Sequence, residues 1–169
     1  MEPLVDTVIE DPRWEGVALP ALADKAATAT FAALGLRDVG FTLCVMGCDD
    51  ARIAELNGEF RKKGQATNVL SFPSENRAAS AAGLAPELPE AGDADDPEEL
   101  GDIAISYDTC ARETIEQGKV LSQHVTHLVV HGILHLLGYD HIDDADAALM
   151  EGLEARILAS LGVDDPYYA

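Results

Sequence analysis

The stretch from His124 to His141, HVTHLVVHGILHLLGYDH, holds all five histidines of this 169-residue chain. Val125, Leu128, Val129, Val130, Ile133, Leu134, Leu136 and Leu137 stand between them. Such a segment is apolar enough for a buried helix, yet it carries a polar stripe that must face something able to use imidazole. At about 100° per residue, His124, His127, His131 and His135 project within one sector. His131 and His135 lie one turn apart, where two rings can reach one metal ion. Gly138 is placed to end the helix as a left-handed C-cap, and the turn there brings His141 back as a third ligand. Three neutral nitrogens with an open fourth position form the arrangement of a catalytic zinc, whereas structural sites are usually closed by four protein ligands. Nickel, copper and cobalt also bind imidazole, so the spacing does not choose among them. A cysteine as fourth ligand stays open. His127 is expected to support a ligand or contact substrate, and it is the candidate general base. His124 is expected to be solvated near the helix start, with Ser122 as the cap.

The spacing His131-x3-His135-x2-Gly138-x2-His141 follows the HExxHxxGxxH pattern of metzincin peptidases except at one position. The glutamate that serves those enzymes as general base is replaced by Gly132, which has no side chain to take a proton. Peptide hydrolysis would need a base from elsewhere.

The length suits one domain, residues 1–169, with a real core. No apolar run reaches membrane-spanning length. The acidic start MEPLVDTVIEDP lacks a basic n-region, so no signal peptide is expected. Cys44, Cys48 and Cys110 are few and odd in number, as expected of reduced thiols in a cytoplasmic protein. A net charge of −20 argues against a general nucleic-acid-binding surface, because phosphate contacts need Lys and Arg. The charge is uneven: Arg61, Lys62 and Lys63 form one basic cluster, and residues 75–99 are strongly acidic.

The patterning predicts strands over Val5–Ile9, Phe41–Met46, Val69–Phe72 and Leu100–Ser106. Helices are expected over Pro20–Leu36, from about Asp50 to Asn57, from Ser106 or Asp108 to Gln117, through the histidine stretch, and from the acids at Asp143–Asp146 to Leu161. The acids suit an N-terminal helix dipole. Pro12 and Trp14 make a turn or short helix. Phe60–Asn68 is expected as a polar loop, and residues 76–99 as a mobile acidic surface insertion.

Three separated stretches, HGILHLLGYDH (131–141), FRKKGQATNVLSFP (60–73) and LGDIAIS (100–106), resemble the YbeY family, the bacterial rRNA-maturation endoribonucleases. The resemblance covers nearly the whole chain apart from the 76–99 segment. It implies a small α/β (α+β-like) fold, a four-stranded mixed sheet packed with about five or six helices around the histidine helix. It implies zinc on His131, His135 and His141. It also implies single-strand-specific RNA cleavage in 16S rRNA 3′-end maturation and ribosome quality control, with single-stranded rRNA and small-subunit ribosomal proteins as partners. Arg61 aligns with the family arginine thought to act in catalysis. The family loop commonly reads R-x-K-D-x-P-T; here Gly64 replaces the Asp and Ala66 the Pro, so any role for a carboxylate at 64 is absent.

On this reading Arg61 holds a phosphoryl oxygen opposite the metal. Lys62 and Lys63 attract phosphate. Ser71 lines the cleft floor. Asp140 orients a ligand imidazole or only shapes its turn. Asp102 pairs with backbone or supports the site. Two other functions stay open: a metallohydrolase of another class, against which Gly132 speaks, and a non-catalytic ribosome-assembly factor with a structural metal.

Overall fold

A computed structural model describes residues 4–37, 39–61, 64–93 and 95–166, and the side chains of Phe60 and Arg61 lie outside that description. Four strands, β1 (Val5–Ile9), β2 (Phe41–Cys48), β3 (Val69–Pro73) and β4 (Glu98–Ser106), form one sheet in the order β1-β2-β4-β3. β1 and β4 both run parallel to β2, and β3 runs antiparallel to β4. Among the described residues five α-helices complete the fold: α1 (Leu19–Leu34), α2 (Asp50–Arg61), α3 (Tyr107–Gln117), α4 (Leu121–Leu136) and α5 (Asp144–Ser160). Pro12–Glu15 forms a short 3-10 turn, whose Asp11 cap accepts from the backbone N–H of Arg13 at 3.0 Å. The single four-stranded mixed sheet with its central histidine helix is the architecture expected above.

The two faces of the sheet are unequal. On one face Leu43, Val45, Ile103 and Ile105 pack with Phe31 of α1, with Val129, Ile133 and Leu136 of α4, and with Ile157 of α5. On the other, Cys48, Leu70 and Ala104 pack with Ile53 of α2. A helix apolar on nearly every side must be covered on nearly every side, so α4 lies between the sheet, α1, α3 and α5.

A bulge sets which β4 residues meet α4. Thr42 pairs with Glu99, but Cys44 pairs with Asp102, so β4 carries one extra residue there. Gly101 lies in the bulge at φ 136°, and a Cβ at that position would meet the Phe72 carbonyl oxygen at 2.3 Å. The bulge lets both Leu100 and Ile103 join the core under α4, while Asp102 is exposed. By strand alternation Asp102 shares the α2 face with Ala104, away from the histidine helix, which excludes it as a support for the site.

Several expected boundaries move. α2 continues to Arg61, so Phe60 and Arg61 end a helix and do not open a loop. Gly58 lies inside the helix, and its missing side chain admits the returning chain, for a Cβ there would stand 3.4 Å from Gly64 Cα. Residues 98 and 99 belong to β4, not to the acidic segment. Ser122 lies inside the first turn of α4, and the N-cap is Val120, which makes no side-chain cap bond. Lys62 and Lys63 lie outside the described residues.

Candidate metal centre

α4 presents His131 and His135 on one face, with their Nε2 atoms 3.0 Å apart. The helix ends at Leu136, and Gly138 follows at φ 105°, a conformation that L side chains rarely adopt. A Cβ on Gly138 would also meet the Arg77 carbonyl oxygen at 2.2 Å. The turn returns His141 to the two helical rings, with centroids 5.2 Å from His131 and 5.1 Å from His135. One ring nitrogen from each of the three lies within 4.8 Å of the others. In a tetrahedral zinc site with bonds of 2.0–2.1 Å, ligand nitrogens stand about 3.3 Å apart, so the donor set is close to what one such ion needs.

His131 and His135 are partly buried, and His141 is exposed. Burial pushes the His135 pKa down to about 4, and the neighbouring His131 and His141 rings add to the shift. His135 is therefore neutral at physiological pH, as a ligand must be. Asp140 Oδ1 accepts the backbone N–H of His141 at 2.7 Å but is 3.9 Å from the His141 ring nitrogen. It shapes the turn and does not hold the imidazole.

The three rings open onto a cleft of about 710 Å³, bounded also by Asn57, Asn68, Ser71 and Arg77. Ser71 lies on the cleft side of β3, where its hydroxyl donates to the Gly132 carbonyl at 3.4 Å. The loop before β3 is held to α2 by Asn57, whose Nδ2 donates to the Gln65 carbonyl at 2.8 Å. Arg61 is the last residue of α2, one turn beyond the cleft-lining Asn57. Gly132 faces the sheet: a Cβ there would stand 3.0 Å from Ile103 Cδ1 and 3.1 Å from Ser71 Oγ. A glutamate at this position would enter the helix–sheet contact and require Ile103 or Ser71 to give way, so packing as well as composition speaks against the peptidase pattern.

The two earlier histidines turn elsewhere. His124 is buried, contrary to the expectation of a solvated residue, and its Nε2 is 2.9 Å from Glu113 Oε1. Burial lowers its pKa, and Glu113 opposes that shift. Glu113 also accepts from Asn68 Nδ2 at 3.1 Å, which links α4 to the loop at the cleft. His127 does not line the cleft; with His124 it borders a separate cavity of about 350 Å³. Its Nε2 is 3.7 Å from Glu154 Oε2.

Three residues near the site escaped sequence reasoning. Glu154 of α5 is fully buried and contacts His131 Nδ1 through Oε1. Its signal was available: an acid at helical spacing among Met150, Ile157 and Leu158 sits on an apolar face. Glu113 had no such signal. Arg77, inside the acidic segment, has a side chain only 6% exposed, which pairs with Glu98 at 3.0 Å. No cysteine joins a possible metal cluster among the described residues. Cys48 and Cys110 are buried, and Cys48 Sγ donates to the Ile105 carbonyl at 3.5 Å.

The family model described as Endoribonuclease YbeY matches residues 11–162. A protein of that name from Cereibacter sphaeroides is 68% identical over 167 residues, covering 99% of this chain and 100% of the relative. Another so named, from Ruegeria pomeroyi, is 56% identical over 163 residues, covering 96% and 97%. The solution structure of TM1509 from Thermotoga maritima has the same fold, with a TM-score of 0.55 at 19% identity over 98% of this chain and 99% of that one. The model matches nine-tenths of the sequence, and the relatives align with it almost end to end: this chain belongs to the YbeY family.

Proposed function

We propose that this chain is a zinc-dependent, single-strand-specific endoribonuclease of the cytoplasm, acting in 16S rRNA 3′-end maturation and ribosome quality control alongside small-subunit ribosomal proteins. Its relatives are named endoribonucleases at up to 68% identity. The observation that carries the reading is the three-imidazole cluster open to the cleft, with His141 at 55% exposure beside the more enclosed His131 and His135. No helix of the described residues is long and apolar enough to cross a membrane.

His131, His135 and His141 would hold the ion. Zinc supplies a Lewis acid for a phosphoryl oxygen or an attacking water. Arg61 would hold a non-bridging oxygen by two parallel hydrogen bonds and stabilise charge that builds on it. Ser71 and Asn68 line the approach of the strand. The RNA 2′-OH or a water serves as nucleophile, and the product ends distinguish them: a cyclic phosphate for the first, a 5′-phosphate for the second. With an overall charge of −20, binding depends on the local cations Arg61, Lys62 and Lys63. Three phosphate contacts to a single strand give a log–log salt slope of roughly −2. We also propose that the acidic insertion is mobile over residues 78–91, between Arg77 and Gly92, where it is tied to the single domain.

The test is cleavage of a labelled single-stranded fragment carrying the 16S 3′ end, by wild type and His131→Ala, with and without chelator. Cleavage lost in the variant and with chelator is expected. Equal cleavage by both proteins would overturn the assignment. Zinc bound without cleavage would favour an assembly factor. Arg61→Ala should reduce turnover by about 10²-fold or more, and Lys63→Ala should weaken binding and flatten its salt dependence while turnover persists.

A further inference from the structure

Glu154 is the only carboxylate at 0% exposure among the described residues. It lies on the face of α5 that also buries Met150, Ile157 and Leu158, where an apolar residue would pack without a desolvation cost. Its two oxygens divide between two rings. Oε1 is in hydrogen-bond contact with His131 Nδ1, and Oε2 faces His127 Nε2 at 3.7 Å.

A neutral imidazole carries its proton on one nitrogen, and only the other can ligate. An ionised carboxylate only accepts, so contact at Nδ1 places the His131 proton there and leaves the Nε2 lone pair free. That Nε2 is the atom 3.0 Å from His135 Nε2, at the centre of the cluster. We infer that Glu154 is a positioning residue: it fixes the tautomer and ring orientation of His131 from behind the metal centre, with His127 against its second oxygen. This rests on the metal-centre reading above.

His127, His131 and Glu154 also form a group that could hold an ion of its own. The contact between Glu154 Oε1 and His131 Nδ1 is read as a hydrogen bond, because His131 Nε2 already faces the three-imidazole cluster and a neutral ring has only one nitrogen free to ligate.

The test measures zinc affinity by competition with a chromophoric chelator, for full-length wild type, Glu154→Gln, Glu154→Ala, Ile157→Ala and His131→Ala. Glu154→Ala should bind zinc 10–100-fold more weakly. Glu154→Gln, whose amide oxygen still accepts from Nδ1, should recover most of that loss. The visible cobalt(II) spectrum should change in Glu154→Ala. Ile157→Ala, which removes a fully buried neighbour on the same helix, should lower thermal stability and leave affinity and spectrum unchanged. Should Glu154→Ala fail to fold, an affinity for Glu154→Gln between wild type and a 10-fold loss supports the inference, and a larger loss overturns it. Wild-type affinity in Glu154→Ala, with binding abolished in His131→Ala, would overturn positioning and leave the metal centre standing. Unchanged binding in His131→Ala would remove the centre itself. Two zinc ions per wild-type chain, with one lost in Glu154→Ala, would make Glu154 a ligand and overturn the inference.

Discussion

The Nε2 atoms of His131 and His135 stand 3.0 Å apart on consecutive turns of α4. A shared proton or a shared ion reconciles two ring nitrogens at that separation, and with His141 the ion has three donors. Zinc at 100 times its Kd should therefore raise wild-type stability by about 2.7 kcal/mol. His131→Ala and His135→Ala should show no such gain in thermal melts with and without zinc. An equal gain in either variant would place the binding elsewhere.

Restoring the peptidase pattern should not create a peptidase. Gly132→Glu drives a carboxylate against Ile103 and Ser71, whose atoms are 3.0 and 3.1 Å from the Cβ position. An uncompensated buried charge costs about 3–5 kcal/mol. Urea unfolding should show that loss, and casein hydrolysis should stay at background. A variant with wild-type stability would show that α4 can retreat from the sheet.

Arg77 clasps the acidic segment to the body. Its guanidinium donates to Glu98 Oε1 at 3.0 Å, to the Leu100 carbonyl at 3.5 Å and to the Leu136 carbonyl, at the end of α4, at 3.5 Å. Arg77→Ala should cost about 1–3 kcal/mol in urea unfolding. Limited proteolysis within residues 78–91 should become faster, because the segment loses an anchor on the side of the Gly138 turn. Unchanged cleavage rates would show that its other contacts, such as Gly83 N–H to Asp146 at 2.8 Å, suffice.

Acid should weaken the α2–α3 junction. Burial pulls the Asp50 pKa up, but bonds from Ser106, Thr109 and Arg112 outweigh it and hold the group below its usual value. The hydroxyls of Ser106 and Thr109 donate at 2.6 Å, and Arg112 Nη1 at 2.8 Å. Arg13 likewise lowers Asp108. Carboxyls depressed in the folded state contribute stability above their unfolded pKa, near 3.9, and lose it as pH falls through the lower folded value. Urea midpoints should fall from about pH 5 downward, and Asp50→Asn should flatten that decline. An identical pH profile in the variant would remove Asp50 from the account.

Much of the architecture was legible because its causes are local. The four strands alternate or run apolar, the helices repeat at 3.6, and Gly35 and Gly118 both end helices at positive φ. The metal cluster was legible for the same reason: His131 and His135 are one turn apart, and Gly138 permits the reversal that returns His141. Where expectation failed, a distant partner decided. His124 reads as solvated until Glu113 of α3 meets it.

The sequence by itself determined the three-histidine cluster and the family, since both rest on residue type and short spacing. Only the tertiary structure decided which carboxylate stands behind His131, for Glu154 is 23 residues away and reaches it through the packing of α5 on α4. It also decided that Gly132 faces the sheet and that Asp102 faces away from the site. Those outcomes depend on how helices and strands are stacked and on one extra residue in β4, and a bulge turns side chains by a register that no local pattern records.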